Sequence, residues 1–423
     1  GIKPEFVGYD KLSCNAKVLV IVEDGNEVQK ASSGTEIEVV TDFTPFYAES
    51  GGQVGDKGKI TGPNFEMEVS YTIKDPTGLI IHKGKIISGN IKKEDNVILT
   101  IDKNERDAIA CNHTATHILH SILRRILGDH VKQAGSLVAP DRLRFDFTHF
   151  SQVDTDTLDK IETLVNKRIR RNVSVQIEEM DAENALKSGA TALFEEKYGE
   201  RVRVVSLADF SKELCGGIHT KYTGHIGLFK IIGESSVASG VRRIEALTGD
   251  AALTYTQKAS NILRNTARLV KEKPEALTQR VEKILADYKY LEKEVERLKT
   301  QMASRSTDKI EDDIKSINNI KVLAKKVSVD NPAALRDLAD KFKEKIKSGI
   351  VVLGCNTGPK VLLITVVTKD LVDRFHAGNI VKQVAEIVGG GGGGRPDMAQ
   401  AGGTKPELLD KAIDKVFEIV ENT

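Results

Sequence analysis

The sequence predicts a multi-domain α/β chain: a small β-barrel, an α+β core, a long helical hairpin or coiled coil, and a small C-terminal α/β domain. Three observations carry this reading. Residues 17–101 alternate short β-branched runs with turn signals, the period turns helical at Glu105, and an unbroken heptad seam occupies 277–302. At 423 residues the chain is too long for one ordinary domain, and its 40% hydrophobic and 29% charged residues are those of a globular protein.

Residues 17–22 and 36–40 read as strands, with Asp24-Gly25-Asn26 and Thr61-Gly62-Pro63-Asn64 as hairpin turns, so residues 1–102 are assigned to the barrel. Helical periodicity covers 105–127 and Gly128 fits a C-cap. A second helix over 154–171 and mixed α/β up to Gly249 complete an α+β core spanning 103–250. Leu277, Val281, Ile284, Tyr288, Leu291, Val295, Leu298 and Met302 follow a 4-3-4-3-4-3-4 spacing among Lys, Arg and Glu. Pro274 fits the first helical position and separates this helix from an earlier one near 250–271. Residues 251–303 are therefore a helical hairpin or coiled-coil linker, whose heptad helix is one arm of an intramolecular hairpin or the contact of a homodimer. Beyond a polar break at 303–307, strands at 349–353 and 360–367 and helices near 332–347, 377–388 and 405–421 make an α/β domain of 304–423. Six glycines at 389–394, then Arg395-Pro396-Asp397, interrupt it sharply.

Charge is balanced, with 62 Lys and Arg against 61 Asp and Glu, so no broad basic footprint announces nucleic acid. No run approaches the ~20 apolar residues of a membrane span, and no membrane partner is expected. The opening residues hold no apolar export signal. Four distant cysteines (14, 111, 215, 355) suit a reduced cytoplasmic setting better than a disulfide framework. Lacking an initiator Met, the chain reads as a piece of something larger.

The chemistry concentrates on four residues. His113-Thr-Ala-Thr-His117 places two imidazoles at i and i+4 on one helix face, a preformed half-site for a tetrahedral metal. Cys215-Gly-Gly-Ile-His219 adds a thiolate and a third imidazole, and the glycines are expected to let the backbone turn tightly. Three nitrogens and one soft sulfur suit Zn2+ better than Mg2+ or Ca2+. His120 and Cys111 are nearby alternative ligands. Thr114 stands where the glutamate of HExxH would be, which excludes that protease motif. Both closed structural zinc and a catalytic zinc with an open position remain consistent with the spacing.

Arg106 with the run 112–120 resembles the editing-domain helix of alanyl-tRNA synthetases. The resemblance continues through 131–137, 143–147, 194–199, 213–217, Thr223-Gly224 and 240–246. Thr44-Pro45-Phe46-Tyr47 with Ser50-Gly51-Gly52-Gln53 is similar to the family's glycine motif at the editing pocket, and 389–400 is similar to its tail domain. One departure stands out: the family usually carries Thr in Cys-Gly-Gly-Thr-His, and Ile218 removes that hydroxyl.

The resemblance implies hydrolysis of mischarged Ser-tRNA(Ala) and Gly-tRNA(Ala) at a zinc-containing site. It implies that Gln133 positions substrate or water, and that Thr44, Gly51 and Gly52 shape the pocket. Arg144, Arg242 and Arg243 would contact phosphates, with internal ion pairing as the alternative for each. Gly390, Gly393 and Arg395 would bind tRNA, against the alternatives of a flexible linker or a phosphate nest. The aminoacylation domain that precedes these regions in the family is not in this chain, so no charging of tRNA is expected. Two rivals share the motifs: a free-standing trans-editing protein, and a non-enzymatic tRNA-binding module with structural zinc.

Overall fold

The computed structural model describes residues 4–191, 199–308, 310–329 and 331–423, which divide into two compact units, Gly1–Thr266 and Ala267–Thr423. Positions 194–198 of the family-like segment 194–199, and the side chain of the heptad residue Met302, lie outside the described residues.

The first unit begins with six antiparallel strands: β1 (Ser13–Glu23), β2 (Glu36–Thr41), β3 (Gly58–Gly62), β4 (Phe65–Lys74), β5 (Ile80–Lys92) and β6 (Asn96–Ile101). They close in the order β1-β2-β5-β4-β3-β6, with β6 pairing back onto β1. Alternation decides which side chains enter. In β6, Val97, Leu99 and Ile101 are buried while Asn96, Ile98 and Thr100 are exposed. Val18, Ile37, Ile60, Met67 and Ile86 from the other strands join that core, which fills the barrel as expected for a small strand number.

One polar pair sits inside it. His82, fully buried, donates from Nδ1 to the Val39 carbonyl at 2.9 Å and takes the Thr44 hydroxyl at Nε2, 2.7 Å away. Burial, opposed by the Val39 hydrogen bond, pushes His82 down to about 4. An unfolded imidazole titrates near ~6.5, so the unfolded chain binds the extra proton first. The stability this group contributes is complete above that value and is lost as pH falls through about 4. The loss amounts to about 3 kcal/mol. Urea unfolding of the wild type between pH 7 and pH 4 is expected to show this slope, and His82→Gln to flatten it.

Helix α1 (Lys103–Leu127) follows. Asp102 caps it by accepting from the Asn104 and Glu105 amides at 2.9 and 3.1 Å, and Gly128 ends it at φ 118°. Then come β7 (Gln133–Val138), β8 (Leu143–Thr148), α2 (Thr155–Ile169), β9 (Val175–Asp181), β10 (Arg201–Leu207), β11 (Ser211–Leu214), β12 (Phe229–Ala238), β13 (Val241–Thr248) and α3 (Gly249–Leu269). One sheet runs β7-β8-β13-β12 and a smaller one β9-β10-β11. Ile118, Leu119 and Ile122 of α1 and Ile161 and Val165 of α2 pack with Phe145, Phe147 and Ile244 of the larger sheet. Arg106, only 4% exposed, ties α1 to the barrel side of the unit. Its Nε donates to Asp56 at 2.9 Å, Nη1 to the Gly8 carbonyl at 2.7 Å and Nη2 to the Pro45 carbonyl at 2.8 Å.

The second unit holds α4 (Leu277–Asp308), β14 (Ile314–Ile317), β15 (Ile320–Lys326), α5 (Pro332–Ile346), β16 (Gly349–Thr357), β17 (Lys360–Val367), α6 (Ala377–Ile387), β18 (Gly391–Gly394), β19 (Met398–Gly403) and α7 (Leu409–Glu421). The sheet order is β14-β15-β16-β17-β19-β18, with β15 and β16 parallel and the other pairs antiparallel. Successive residues of β16 serve opposite faces: Ile350 and Val352 meet α6 and α7, while Val351 and Leu353 meet α5. From Val281 to Leu298 the heptad seam of α4 is exposed, with Tyr288, Leu291 and Val295 all more than half accessible.

The glycine run is a strand, where the sequence suggested a break in the pattern. The chain packs on β19 so closely that a Cβ at Gly390, just before β18, or at Gly392 or Gly394 within it would meet neighbouring atoms at 1.7, 2.2 and 2.6 Å. At Gly391 and Gly393 it would meet nothing within 4 Å. No helix among the described residues is long and apolar enough to cross a membrane.

Candidate metal centre

Helix α1 delivers His113 and His117 one turn apart, their rings stacked at 5.3 Å and 10°. Cys215 follows directly on β11, its amide anchored to the Arg203 carbonyl at 2.9 Å, and the next residues bring His219 back over the pair. One ligand atom from each of the four lies within 4.8 Å of all the others. Cys215 Sγ is 3.3 Å from His113 Nε2 and 3.4 Å from His219 Nε2. A tetrahedral ion with metal–nitrogen bonds of ~2.0 Å and metal–sulfur bonds of ~2.3 Å needs ligand edges of ~3.5 Å. The two edges measured at Cys215 fit such an ion. His117 Nε2, buried with no hydrogen-bond partner, is the orphan that an ion there would satisfy.

Each imidazole is oriented from behind. His113 Nδ1 donates to Gln53 Oε1 at 2.8 Å, His117 Nδ1 to the Glu213 carboxylate, and His219 Nδ1 sits 3.2 Å from the Thr114 hydroxyl. With Nδ1 engaged, each Nε2 lone pair is left for the cluster. Burial pushes the Glu213 carboxyl up, but the facing imidazoles of His117 and His120 outweigh it and hold it at about 2. Burial likewise raises the Cys215 thiol, yet His113, His219 and His117 around it hold it well below its usual value, favouring thiolate. Replacing Glu213 by Gln is expected to weaken metal affinity about 10- to 100-fold, read by competition with a chelator.

A cleft of about 270 Å3 opens over the cluster, and Gly51, His120, Gln133 and Arg203 stand among its walls. Arg203 is fixed by its stack on the Tyr9 ring at 4.0 Å and by donation to the Gly217 carbonyl at 2.5 Å.

Several sequence expectations find a different place. Thr44 is not on the cleft, because its hydroxyl is committed to His82 inside the barrel. Gly51 lines the cleft at φ 59°, whereas Gly52, at φ 85°, packs on Ser136, where a Cβ would meet the carbonyl oxygen at 2.7 Å. Arg242 forms a two-pronged ion pair with Glu234 (2.6 and 2.6 Å) and Arg243 one with Asp146 (2.6 and 2.8 Å). Arg144 lies 3.8 Å from Asp146, and none of these three arginines reaches the cleft. Arg242 and Arg243 are thus ion-paired within the unit, while Arg144 Nε is buried without a hydrogen-bond partner. His120 donates to Glu213 at 2.9 Å and Cys111 to the His225 carbonyl at 3.4 Å, so neither joins the four ligands.

Of the two glycines after Cys215, Gly217 is required by closeness and not by a special turn, while a Cβ on Gly216 would meet nothing within 4 Å. Neither has positive φ, and a Cβ on Gly217 would lie 2.1 Å from the His113 ring. The Ile218 side chain joins Tyr47 and Ala110 in an apolar cluster, while its amide donates to Gln53 Oε1 at 2.8 Å. In the second unit, Gly390 and Gly393 belong to the glycine edge just described, and Arg395 is exposed, 3.3 Å from Asp397. Sequence reading had Gln53 only as part of the glycine motif, without its contact to His113, and missed Glu213, Thr114 and Arg203 as parts of the site. For Glu213 a signal existed, since it stands two residues before Cys215 along one strand direction and so on the same face.

Three family models match the chain. The model of class II (A) tRNA synthetases covers residues 2–105, the second additional domain of threonyl and alanyl tRNA synthetases covers 202–245, and the DHHA1 domain covers 319–422. The alanine–tRNA ligase of Desulfosudis oleivorans is 55% identical over 421 residues, 99% of this chain and 48% of its own length. That of Pelotomaculum thermopropionicum is 46% identical over 418 residues, again 99% of this chain and 48% of its own. The chain thus spans about half the length of the curated relatives it matches. The solved C-Ala domain of Aquifex aeolicus alanyl-tRNA synthetase is 28% identical, covering 26% of this chain and 97% of that domain, with a TM-score of 0.25. With relatives this similar along almost every residue, and matches that fit a C-terminal portion of those enzymes, the chain belongs to the alanyl-tRNA synthetase family.

Proposed function

We propose that this chain hydrolyses the ester joining serine or glycine to the 3′ end of tRNA(Ala), at a zinc site held by His113, His117, Cys215 and His219. The carrying observation is the pairing of four converging donors with a cleft that reaches Gln133 and Gly51. A bound zinc ion would supply Lewis acidity at the cleft floor. The chain's own groups would do the rest. Gln133 presents an amide, donor and acceptor together, to orient the substrate or the attacking water. Gly51 lets the backbone come close to the amino-acid portion. Arg203 places a positive charge on the wall, suited to the ester's phosphate side.

The need for such a site follows from size. A pocket that accepts alanine cannot firmly reject glycine or serine, since one methylene or hydroxyl alters binding by only ~1–3 kcal/mol. A hydrolytic site that hydrogen-bonds the serine hydroxyl leaves that partner unpaired when alanine enters. In this reading the second unit binds tRNA through the β18 edge and Arg395, and α4 or that unit joins two copies in the cytoplasm.

The test is release of amino acid from Ser-tRNA(Ala), Gly-tRNA(Ala) and Ala-tRNA(Ala). Serine release well above the uncatalysed rate, with Ala-tRNA(Ala) spared, is expected. Three rates equal to the blank would leave the second reading, a tRNA-binding module with structural zinc. That reading draws on the four protein donors, which are enough to close a tetrahedral shell.

A further inference from the structure

A row of aromatic rings leads away from the cleft. His120 and Phe145, both on its wall, have ring centroids 5.3 Å apart; Phe145 to Phe147 is 6.2 Å and Phe147 to His149 is 6.3 Å. Period-two alternation puts Phe145, Phe147 and His149 along one face of the strand direction set by β8. The row ends in a three-ring cluster. His149 meets Phe150 at 4.6 Å and stacks with His130 at 5.1 Å and 20°, and His130 meets Phe150 at 5.6 Å.

Burial changes abruptly along it. Phe145 and Phe147 are fully buried and His149 is 8% exposed, yet Phe150 is 82% exposed. The rings that Phe150 rests on are held in place. The His149 amide donates to the Gly240 carbonyl at 2.9 Å, and its Nδ1 shares a proton with His130 Nε2 at 2.9 Å, so the rings beside Phe150 are fixed. Lys132 lies on the adjoining segment, its amide bonded to the Thr148 hydroxyl at 2.9 Å; it is exposed and has no ion pair among the described residues. A fixed π-face beside a free cation suits an unpaired nucleotide, whose base stacks while its phosphate meets the charge.

We propose that Phe150, supported by His130 and His149, is a stacking platform for an unpaired nucleobase near the 3′ end of the RNA whose ester enters the cleft. The proposal rests on the editing reading for its ligand and on the ring row for its place. β8 leads from one to the other: Phe147 pairs with Gln133 at the cleft, and Phe150 lies two residues past the strand's end at Thr148.

The chain contains no tryptophan, so Phe150→Trp installs a single fluorescent reporter at the platform. Titration of that full-length variant with a short single-stranded RNA of the tRNA 3′ sequence is expected to quench its emission. Phe150→Leu, which keeps apolar bulk but no ring, is expected to bind the same RNA about 5- to 150-fold more weakly than wild type, the range for losing one stacked base. Phe150→Tyr should bind as wild type does. Unchanged emission at saturating RNA, or a Leu variant that binds as tightly as wild type, overturns the platform. Neither readout needs turnover. Quenching in a protein that releases no serine from Ser-tRNA(Ala) supports the platform and sinks the hydrolytic reading. Turnover without quenching overturns the platform alone.

Discussion

Cys215→Ala is expected to strip the cluster of metal and bring serine release from Ser-tRNA(Ala) down to the uncatalysed rate. Cys215 offers the only sulfur among the four donors and stands between two imidazole nitrogens, 3.3 and 3.4 Å away. Its removal leaves three imidazoles facing a space that a methyl group cannot complete. Altering an outer partner of a metal ligand already costs about 10- to 100-fold in affinity, so deleting a direct ligand should cost more. Metal content per chain, measured beside the deacylation rate, reads both halves of the claim. Glu213→Gln guards against misreading a folding defect, because it keeps all four donors and should lower metal affinity by an intermediate amount. A Cys215→Ala protein that is metal-free, folded and as fast as wild type would sink the zinc-centred mechanism.

Arg106→Met is expected to destabilise the first unit by about 3–5 kcal/mol, the usual cost of breaking a buried ion pair from one side. The partner left behind is Asp56, 2% exposed, which also accepts from the Tyr47 amide at 2.6 Å. The same substitution strips the Gly8 and Pro45 carbonyls of their guanidinium donors. Urea unfolding measures the loss. The double variant Arg106→Met with Asp56→Asn should recover part of it, since no charge then remains buried unpaired. A loss below about 1 kcal/mol in the single variant would mean that water reaches the pair and that the joint is not what holds α1 to the barrel side.

Much of the architecture was legible because it follows from short-range patterns. Alternation in residues 17–101 announced strands, and the closed barrel is the form in which six such strands leave no open edge. Asp102 and Gly128 bracket α1 by cap chemistry that any sequence displays. The four donors could be picked out because metal ligands are chemically unusual and two of them share a helix face. What escaped depends on long-range packing. Nothing local says that the Thr44 hydroxyl turns inward to His82, or that Arg242 and Arg243 find carboxylates across neighbouring strands. Gln53 was visible as part of a motif, but its role in orienting His113 needs a contact sixty positions away in sequence. The glycine run misled because glycine is a poor strand former in general. Here the close approach of β19 reverses that preference by leaving no room for side chains at alternate positions.

That strand also divides its glycines into two classes with different histories of constraint. At 390, 392 and 394 the neighbouring backbone forbids any side chain, so those positions are held by the domain's own folding, whatever the domain binds. At 391 and 393 the fold makes no such demand, and alanine or serine fits without a clash. Selection for glycine at the two open positions would therefore have to come from something pressed flat against the outside of the sheet. A substitution tolerance that alternates residue by residue would mark fold alone. Uniform intolerance would trace the footprint of a visitor.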